Sequence, residues 1–493
     1  MEIFLTMEAE KNANKPGASF RFMIKNLGCK CNRYEADALT LFLTEQGGEE
    51  VAEEQACDLA LLNTCTVTAE AGRKSCQALR RLRREHPAAV IGVMGCHSQL
   101  EDLSDLCDFQ TGVEGRLGLA EACLKELKQR RGMGQPLTEP ECAAHMQEPG
   151  AALFPKKTSK TGGAEVSATA VAGRAAQKWR PCAHDSAYEE LGTVREQTET
   201  RAQIKICDGC NQFCTYCAIC LARGRVRSRG RSEILEEARA LTAAGHKEIV
   251  LTATHLCSFE KEQGHDILAL AELLEELDQT PGLERLRLGS LEPASLTPAF
   301  ISRVSRLRTL CPHFHLSLQS GSDTVLARMH RQYSSEDYRK VVQALRQAFD
   351  EPAITTDIMV AFPEESEAEF AESFHFAEEI GFARIHVFRY SPRKGTAAAR
   401  MKQVPAAISK ARGEAMQKLA GKLAETYAAS RVGEEDSFVA EQPLGEGAFN
   451  GVTSRYDPAV LQRRKDGSAP RRGDFVHCRV LRAEGERLIL EEI

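Results

Sequence analysis

From about residue 20 onward, short apolar runs alternate with longer segments whose apolar positions recur every three or four residues. FRFMIKN (20–26), DLALLNT (58–64) and AVIGVMG (89–95) are the short runs. Between them, EADALTLFLTEQG and AEAGRKSCQALRRLRRE carry the helical period. Strand, loop and amphipathic helix in succession predict a doubly wound parallel sheet over 20–130, because parallel neighbours need a crossover between them. The pattern then lapses. Residues 131–195, with EPGAALFPKKTSKTGGAEVSATAVAGRAAQ at their centre, are rich in Ala, Gly, Ser, Thr and Pro and show no period, which reads as a mobile linker or insertion.

A second alternation starts near 203. IKIC, KEIVLTAT, RLRLGS, FHLSLQ, ITTDIMVAF and RIHVFRYS are strands, separated by helical segments such as SEILEEARALTAAG and DILALAELLEEL. Six βα units with right-handed crossovers curl into a barrel or part of one, so 196–428 is expected to be a partial (βα)6 barrel. In the remainder, 430–493, VGEEDSFVAEQ, GDFVHCRVLRAEG and RLILEEI read as short strands joined by turns, a small β-barrel. The expected fold class is α/β and multidomain, in keeping with a length prior of about three domains.

Composition narrows the setting. With 42% apolar, 27% charged and 6% aromatic residues the chain reads as soluble and globular. No apolar run approaches the roughly 20 residues that span a bilayer, and the first residues lack a basic end followed by an apolar core. A cytoplasmic protein with no membrane partner is expected. A formal net charge of -6 excludes a wholly basic nucleic-acid coat but leaves room for a local RNA-binding surface. Eighteen cysteines are many for a reducing compartment, where stable disulfides are rare, so their spacing must explain them.

Cys29, Cys65 and Cys96 each follow an apolar strand by a short turn, in IKNLGC, LLNTC and GVMGC. In a parallel sheet these positions share the carboxyl edge, where open α/β folds bind ligands. Three soft thiolates without a fixed fourth ligand suit an iron-sulfur cluster with one open iron, and zinc less well. His97 is available as a fourth ligand, although a lone loop histidine is more often solvated.

KICDGCNQFCTYCAIC, 205–220, holds five cysteines. Neither the ferredoxin run nor the paired knuckles of a zinc ribbon fits their intervals. What remains is Cys210-x3-Cys214-x2-Cys217, on the loop after the first core strand and at the face where barrel active sites sit.

That spacing resembles the cluster loop of radical S-adenosylmethionine enzymes, and the chain as a whole is similar to the radical S-adenosylmethionine methylthiotransferases. The likeness runs from residue 20 to the end, insertion excepted, through NLGCKCNRYEAD, LLNTCTVT, GVMGCHSQ and DGCNQFCTYC. LGCK, ARGRVRSR, LRLGSLEP, HFHLSLQSGSD and YSPRKGT look most like the branch acting on N6-threonylcarbamoyladenosine at position 37 of tRNA. The resemblance implies two 4Fe-4S clusters, one on Cys29, Cys65 and Cys96 and one on Cys210, Cys214 and Cys217. The open iron of the second would chelate S-adenosylmethionine, whose reductive cleavage gives a 5'-deoxyadenosyl radical. Sulfur is then inserted at carbon 2 of the adenine, and a second S-adenosylmethionine supplies the methyl group.

It further implies that Tyr216 covers the cofactor's adenine, and that Arg223, Gln319, Ser320 and Arg331 contact the cofactor. The C-terminal barrel corresponds to the RNA-binding TRAM domain. The partner expected is the tRNA anticodon stem-loop, met by a monomer, with electron and sulfur donors that the sequence does not name. From Arg431 to the end, however, 10 Lys or Arg face 12 Asp or Glu, so RNA binding there rests on the resemblance alone. Arg223, Arg225, Arg227, Arg229 and Arg231 alternate, and in an extended segment would share one side, where phosphate or a cofactor carboxylate could be met. His313 and His315 should share a strand face.

Some positions depart from the family pattern. Cys207 stands for a polar residue, Cys220 for a proline and Cys31 for an apolar one, while AFPEE (361–365) replaces GFPGE. Glycine at those two places serves close backbone approach or unusual dihedrals. The competing readings are a methylthiotransferase for isopentenyladenosine tRNA or a ribosomal protein, and a non-catalytic RNA-binding or metal-storing relative.

Overall fold

The computed structural model describes residues 19–132, 187–195, 197–445, 447–462, 464 and 466–493. Five strands open it: β1 (Phe20–Asn26), β2 (Gly48–Glu50), β3 (Leu59–Thr64), β4 (Val90–Gly95) and β5 (Phe109–Gln110). They form one sheet in the order β2-β1-β3-β4-β5, and every pair is parallel. Helices cover both faces, which is why β3 and β4 are buried along their whole length and can be apolar throughout. Helices Lys30–Glu45 and Arg116–Gly132 pack on one face and Ala69–Glu85 on the other. The last of these buries Gly72, Ser75, Leu79 and Leu82 at helical spacing, and Thr68 caps it by accepting from the Ala71 amide at 3.0 Å. Strand order reverses between β1 and β3. Such a switch point opens a crevice beyond the carboxyl ends of the strands.

The core follows as β6 (Ala202–Asp208), β7 (Arg227–Ser228), β8 (Glu248–Ala253), β9 (Arg285–Leu288), β10 (His313–His315), β11 (Ala353–Val360) and β12 (Arg384–Arg389). β6, β8 and β9 pair in parallel, as do β10, β11 and β12. Isolated parallel bridges, Leu286 to Leu310 and Leu291 to Leu316, join the two groups. Six parallel strands thus make the expected partial barrel, with the short antiparallel β7 on the outer side of β6. Phe314, Ile354, Ile358, Val360 and Ile385 belong to the large apolar core shared with the surrounding helices. Their alternates, among them His313, His315, Thr355, Asp357, Met359, His386 and Phe388, face the other side of the sheet, the bore.

Helix Ala406–Ser430 leads to β13 (Glu435–Gly445), β14 (Ala448–Thr453), β15 (Pro458–Leu461), β16 (Phe475–Glu484) and β17 (Arg487–Glu492). They close into the expected small barrel, in the order β13-β14-β15-β17-β16. It docks on the amino ends of β8 and β9. Arg285 donates to Ser437 Oγ at 2.7 Å and Arg287 to the Ser454 carbonyl at 2.9 Å, while Glu248 accepts from both arginines.

Most of the stretch expected to be linker, 133–186, lies outside the described residues. Its end, 187–195, is packed: Val194 is buried with Tyr34 and Ala38, Glu189 accepts from the Arg116 amide at 2.7 Å, and Glu190 from Arg229 at 2.7 Å. Among the described residues no helix is long and apolar enough to cross a membrane.

Candidate iron-sulfur and cofactor site

The first cysteine triad is built at the crevice. Cys29 precedes helix Lys30–Glu45 as its N-cap, Cys65 follows β3, and Cys96 opens helix Cys96–Leu100 directly after β4. Gly95, with φ of +103°, makes the last turn possible: a Cβ there would stand 2.5 Å from the Thr64 carbonyl oxygen. Burial pushes up both Cys65 and Cys96, and a charge on Cys29 adds to each. Cys29 itself is held down at about 6, first by a hydrogen bond with Cys31 and then by the charge of Arg223. Burial pushes Cys96 up to about 12, although Arg223 Nε donates to its Sγ at 3.2 Å.

Among the described residues no three His, Cys, Asp or Glu side chains gather as ligands of a single ion. A tetrahedral zinc site requires that convergence. A cubane does not, because each thiolate binds a different iron. His97 is neither solvated nor in a loop: it lies in helix Cys96–Leu100, buried, with Nε2 3.5 Å from Cys76 Sγ.

Around Arg223 lies a buried ionic network. Glu35 Oε1 accepts from Arg116 Nη2 at 2.8 Å, Lys205 Nζ at 2.7 Å and Arg223 Nη1 at 2.8 Å. Asp208 accepts from Lys205 at 2.5 Å and from Arg223 at 2.9 Å. Burial pushes Glu35 up, but the three cations outweigh it and hold the carboxyl at about 2. The sequence reading passed over Glu35, Lys205 and Asp208. Charged residues beside otherwise apolar runs, as in AQIKICD, were the available signal.

The alternating arginines do not form an anion-facing strip, and here the structure corrects the sequence. Arg223 ends a helix, Gly224 breaks it at φ of +71°, and β7 is two residues long, so no extended run exists to put them on one side. Arg227 lies 3.2 Å from Glu114, and Arg231 holds Glu260 at 2.6 Å. Arg229 is paired with Glu190 and Glu237. Of the five, Arg225 alone is exposed with no carboxylate partner among the described residues.

The second triad leaves the carboxyl end of β6. Gly209 turns the chain at φ of +77°, in a place where a Cβ would fall 1.8 Å from the Arg225 carbonyl oxygen. The Cys210 amide donates to Gly224 O at 3.0 Å and that of Cys217 to Cys214 O at 3.0 Å, closing the loop on itself. Burial raises Cys210 to about 11 and Cys217 to about 12, and the charge of Cys214 adds to both. Arg331 Nη1 donates to Cys214 Sγ at 3.3 Å, while its Nη2 donates to the buried Glu292 at 2.5 Å. Cys207 and Cys220 use their thiols otherwise, donating to the carbonyls of His255 at 3.4 Å and Cys217 at 3.6 Å.

Tyr216 packs edge-on to Phe362, ring centres 6.4 Å apart, in a cluster with Val325, Met329 and Ala398. Gln319 is pinned to β11, donating to Asp357 O and accepting from the Met359 amide, both at 2.8 Å. Ser320 is fully buried with its hydroxyl 2.8 Å from Ser373 Oγ, directed at helix Glu367–Ile380. The structure thus brings Arg331 to the second triad and Arg223 to the first. Phe213, Gln319, His330 and Ala361 all have positive φ, at +50°, +67°, +62° and +57°. Such strain persists where surroundings over-determine it, and here it gathers in loops beyond the core strands.

In the bore, His313 Nε2 and His315 Nδ1 meet Thr355 Oγ1 at 3.1 and 3.0 Å, and His315 lies 3.4 Å from Asp357. Burial, and then cations that include Lys30, hold His313 and His386 below the ordinary histidine range.

Comparison with known proteins agrees with this layout. Residues 204–377 match the radical SAM superfamily and 21–115 the uncharacterized protein family UPF0004. The threonylcarbamoyladenosine tRNA methylthiotransferase MtaB of Bacillus subtilis is 33% identical, covering 95% of this chain and 96% of the relative. That of Thermotoga maritima is 32% identical, with 94% and 95% covered. A tRNA-2-methylthio-N(6)-dimethylallyladenosine synthase of Acetivibrio thermocellus is 30% identical, with 81% and 76% covered. In fold, the chain is similar to the radical S-adenosylmethionine methyltransferase TsrM of Kitasatospora setae, solved with cobalamin and a [4Fe-4S] cluster, at a TM-score of 0.54, 14% identity and 77% of each chain covered. Near-complete coverage at this identity, over a chain that presents both cysteine triads, means that it belongs to the radical S-adenosylmethionine methylthiotransferase family.

Proposed function

We propose that this protein converts N6-threonylcarbamoyladenosine at position 37 of tRNA to its 2-methylthio derivative. Membership of the family makes it a radical S-adenosylmethionine enzyme of tRNA methylthiolation, and the relatives named for the threonylcarbamoyl substrate support the narrower reading. The observation that carries it is the join between the triads. Arg223 donates to Cys96 of the first and to Asp208, which directly precedes the Gly209-Cys210 turn of the second. An enzyme that activates a carbon at one centre and delivers sulfur from another needs the two held in fixed relation.

Both triads suit a 4Fe-4S cluster: three thiolates apiece and an arginine donating to one sulfur of each; beside the first, the buried Cys31 is hydrogen-bonded to Cys29. Cys29, Cys65 and Cys96 would hold one and Cys210, Cys214 and Cys217 the other. When bound, the second cluster with S-adenosylmethionine supplies the radical that removes hydrogen from carbon 2. Arg331 fixes Cys214, and Tyr216 and Gln319 line the cofactor's side of the loop. Ser320, turned toward Ser373, acts on the shape of that turn, and Arg223 acts through Cys96. The substrate is the anticodon stem-loop, bound by a cytoplasmic monomer with help from the C-terminal barrel, while separate donors supply electrons and sulfur.

Nucleoside mass spectrometry of tRNA from cells lacking the protein tests this. Loss of 2-methylthio-N6-threonylcarbamoyladenosine, with its unmethylthiolated precursor accumulating, is expected. Unchanged levels in cells with no redundant enzyme would refute the substrate, and loss of the isopentenyl derivative instead would favour the other tRNA branch.

A further inference from the structure

Lys30 follows Cys29 and begins helix Lys30–Glu45. Its Nζ stands 5.9 Å from the Tyr456 ring of the C-terminal barrel, so the side chain reaches from the N-terminal sheet to the far end of the core bore. The same ring receives Arg287 at 5.0 Å, Arg201 at 5.1 Å and the His313 ring at 4.9 Å. Those two arginines are already satisfied, Arg287 by Glu248 at 2.6 Å and Arg201 by Glu441 at 2.5 Å. Lys30 has no carboxylate partner among the described residues, yet solvent reaches it. His386 is also exposed, and His315 and Asp357 are half-buried. Among the described residues Lys30 thus puts an ammonium without a carboxylate on the bore side, beside polar His386, His315 and Asp357. There an arriving anion, partly screened from water, gains more than on an open surface.

Carbon 2 of adenine and the substituent on N6 lie along the same edge of the base, either side of N1. Whatever reads the substituent must therefore stand close to what acts on carbon 2. Lys30 is next in sequence to Cys29 of the first triad, and its side chain runs from there along the bore to Tyr456. A threonylcarbamoyl group ends in a carboxylate, whereas an isopentenyl group is uncharged and offers an ammonium nothing. Resting on the substrate reading above, we propose that Lys30 binds the carboxylate of the threonylcarbamoyl substituent and so selects the acidic base over an apolar one.

The test uses the full chain, reconstituted anaerobically and matched for iron content, with anticodon stem-loops bearing either threonylcarbamoyladenosine or its methyl ester. Esterification removes the charge and keeps the rest of the group. Equilibrium binding should favour the free acid by about 10- to 100-fold in the parent protein, the usual span for a hydrogen bond to a charged group. Lys30→Gln should abolish that preference and Lys30→Arg retain most of it, with Lys30→Met as a second neutral replacement should the glutamine variant load less iron. If the neutral variants keep the full preference, Lys30 is not the reader and the substrate reading stands. If the parent shows no preference for acid over ester, or binds an isopentenyladenosine stem-loop as tightly, the substrate reading falls and the role of Lys30 with it.

Discussion

Asp37 is a buried carboxylate whose Oδ2 has no hydrogen-bond partner, and burial lifts its pKa to about 7 against the weaker pull of Arg33 at 3.8 Å. The folded state therefore holds this proton more tightly than the unfolded chain. The stabilisation is complete below the ordinary carboxylate value and is lost as pH rises through about 7. The loss has a ceiling of about 1.4 kcal/mol per pH unit across that window. Asp37→Asn should thus melt close to the parent near pH 4 and progressively above it toward pH 8, as thermal denaturation at several pH values would show. A second prediction concerns AFPEE. Ala361 and Glu364 occupy left-handed backbone at φ of +57° and +64°, so the absence of the two glycines, visible in the sequence, carries a cost in the fold. Ala361→Gly and Glu364→Gly should each stabilise by about 0.5–1 kcal/mol net in denaturant titrations, strain relief exceeding the added freedom of the unfolded chain.

In the loop 207–220, spacing marks Cys210, Cys214 and Cys217 as the proposed ligands and leaves out Cys207 and Cys220, which donate their thiol protons to carbonyls. Cys207→Ser and Cys220→Ser should keep the iron content and visible absorbance of the parent, whereas Cys214→Ser should lose about half of roughly eight irons if two cubanes form. The strands were legible because apolar runs with period two or none cannot be mistaken where Gly and Asn punctuate them. The arginine run was not. Alternation puts side chains on one side only in extended backbone, and local hydrogen bonds made a helix end of Arg223 and a helix start of Arg231. Likewise Arg223 was legible as a candidate, but its partner was not. Contact with Cys96, 127 residues away, depends on how two domains meet, which no local pattern encodes.

Across the whole molecule, those domains are joined by charge. Glu35 of the N-terminal unit is the shared acceptor for Arg116, Lys205 and Arg223, two of which come from the core. Glu35→Ala leaves three buried cations short of a partner and should cost about 3–5 kcal/mol, with iron loss from both triads following from the separated domains. Glu35→Gln, which can still accept, should cost less. The central claim, that these two centres act together on the threonylcarbamoyl base, is tested most directly in a reaction. The anaerobically reconstituted full chain is given S-adenosylmethionine, a reductant, a sulfur source and an anticodon stem-loop bearing threonylcarbamoyladenosine, and the RNA is weighed by mass spectrometry. The account predicts a gain equal to one methylthio group replacing one hydrogen, located on the adenine. An unaltered stem-loop, alongside an isopentenyladenosine stem-loop that does gain the group, would contradict it.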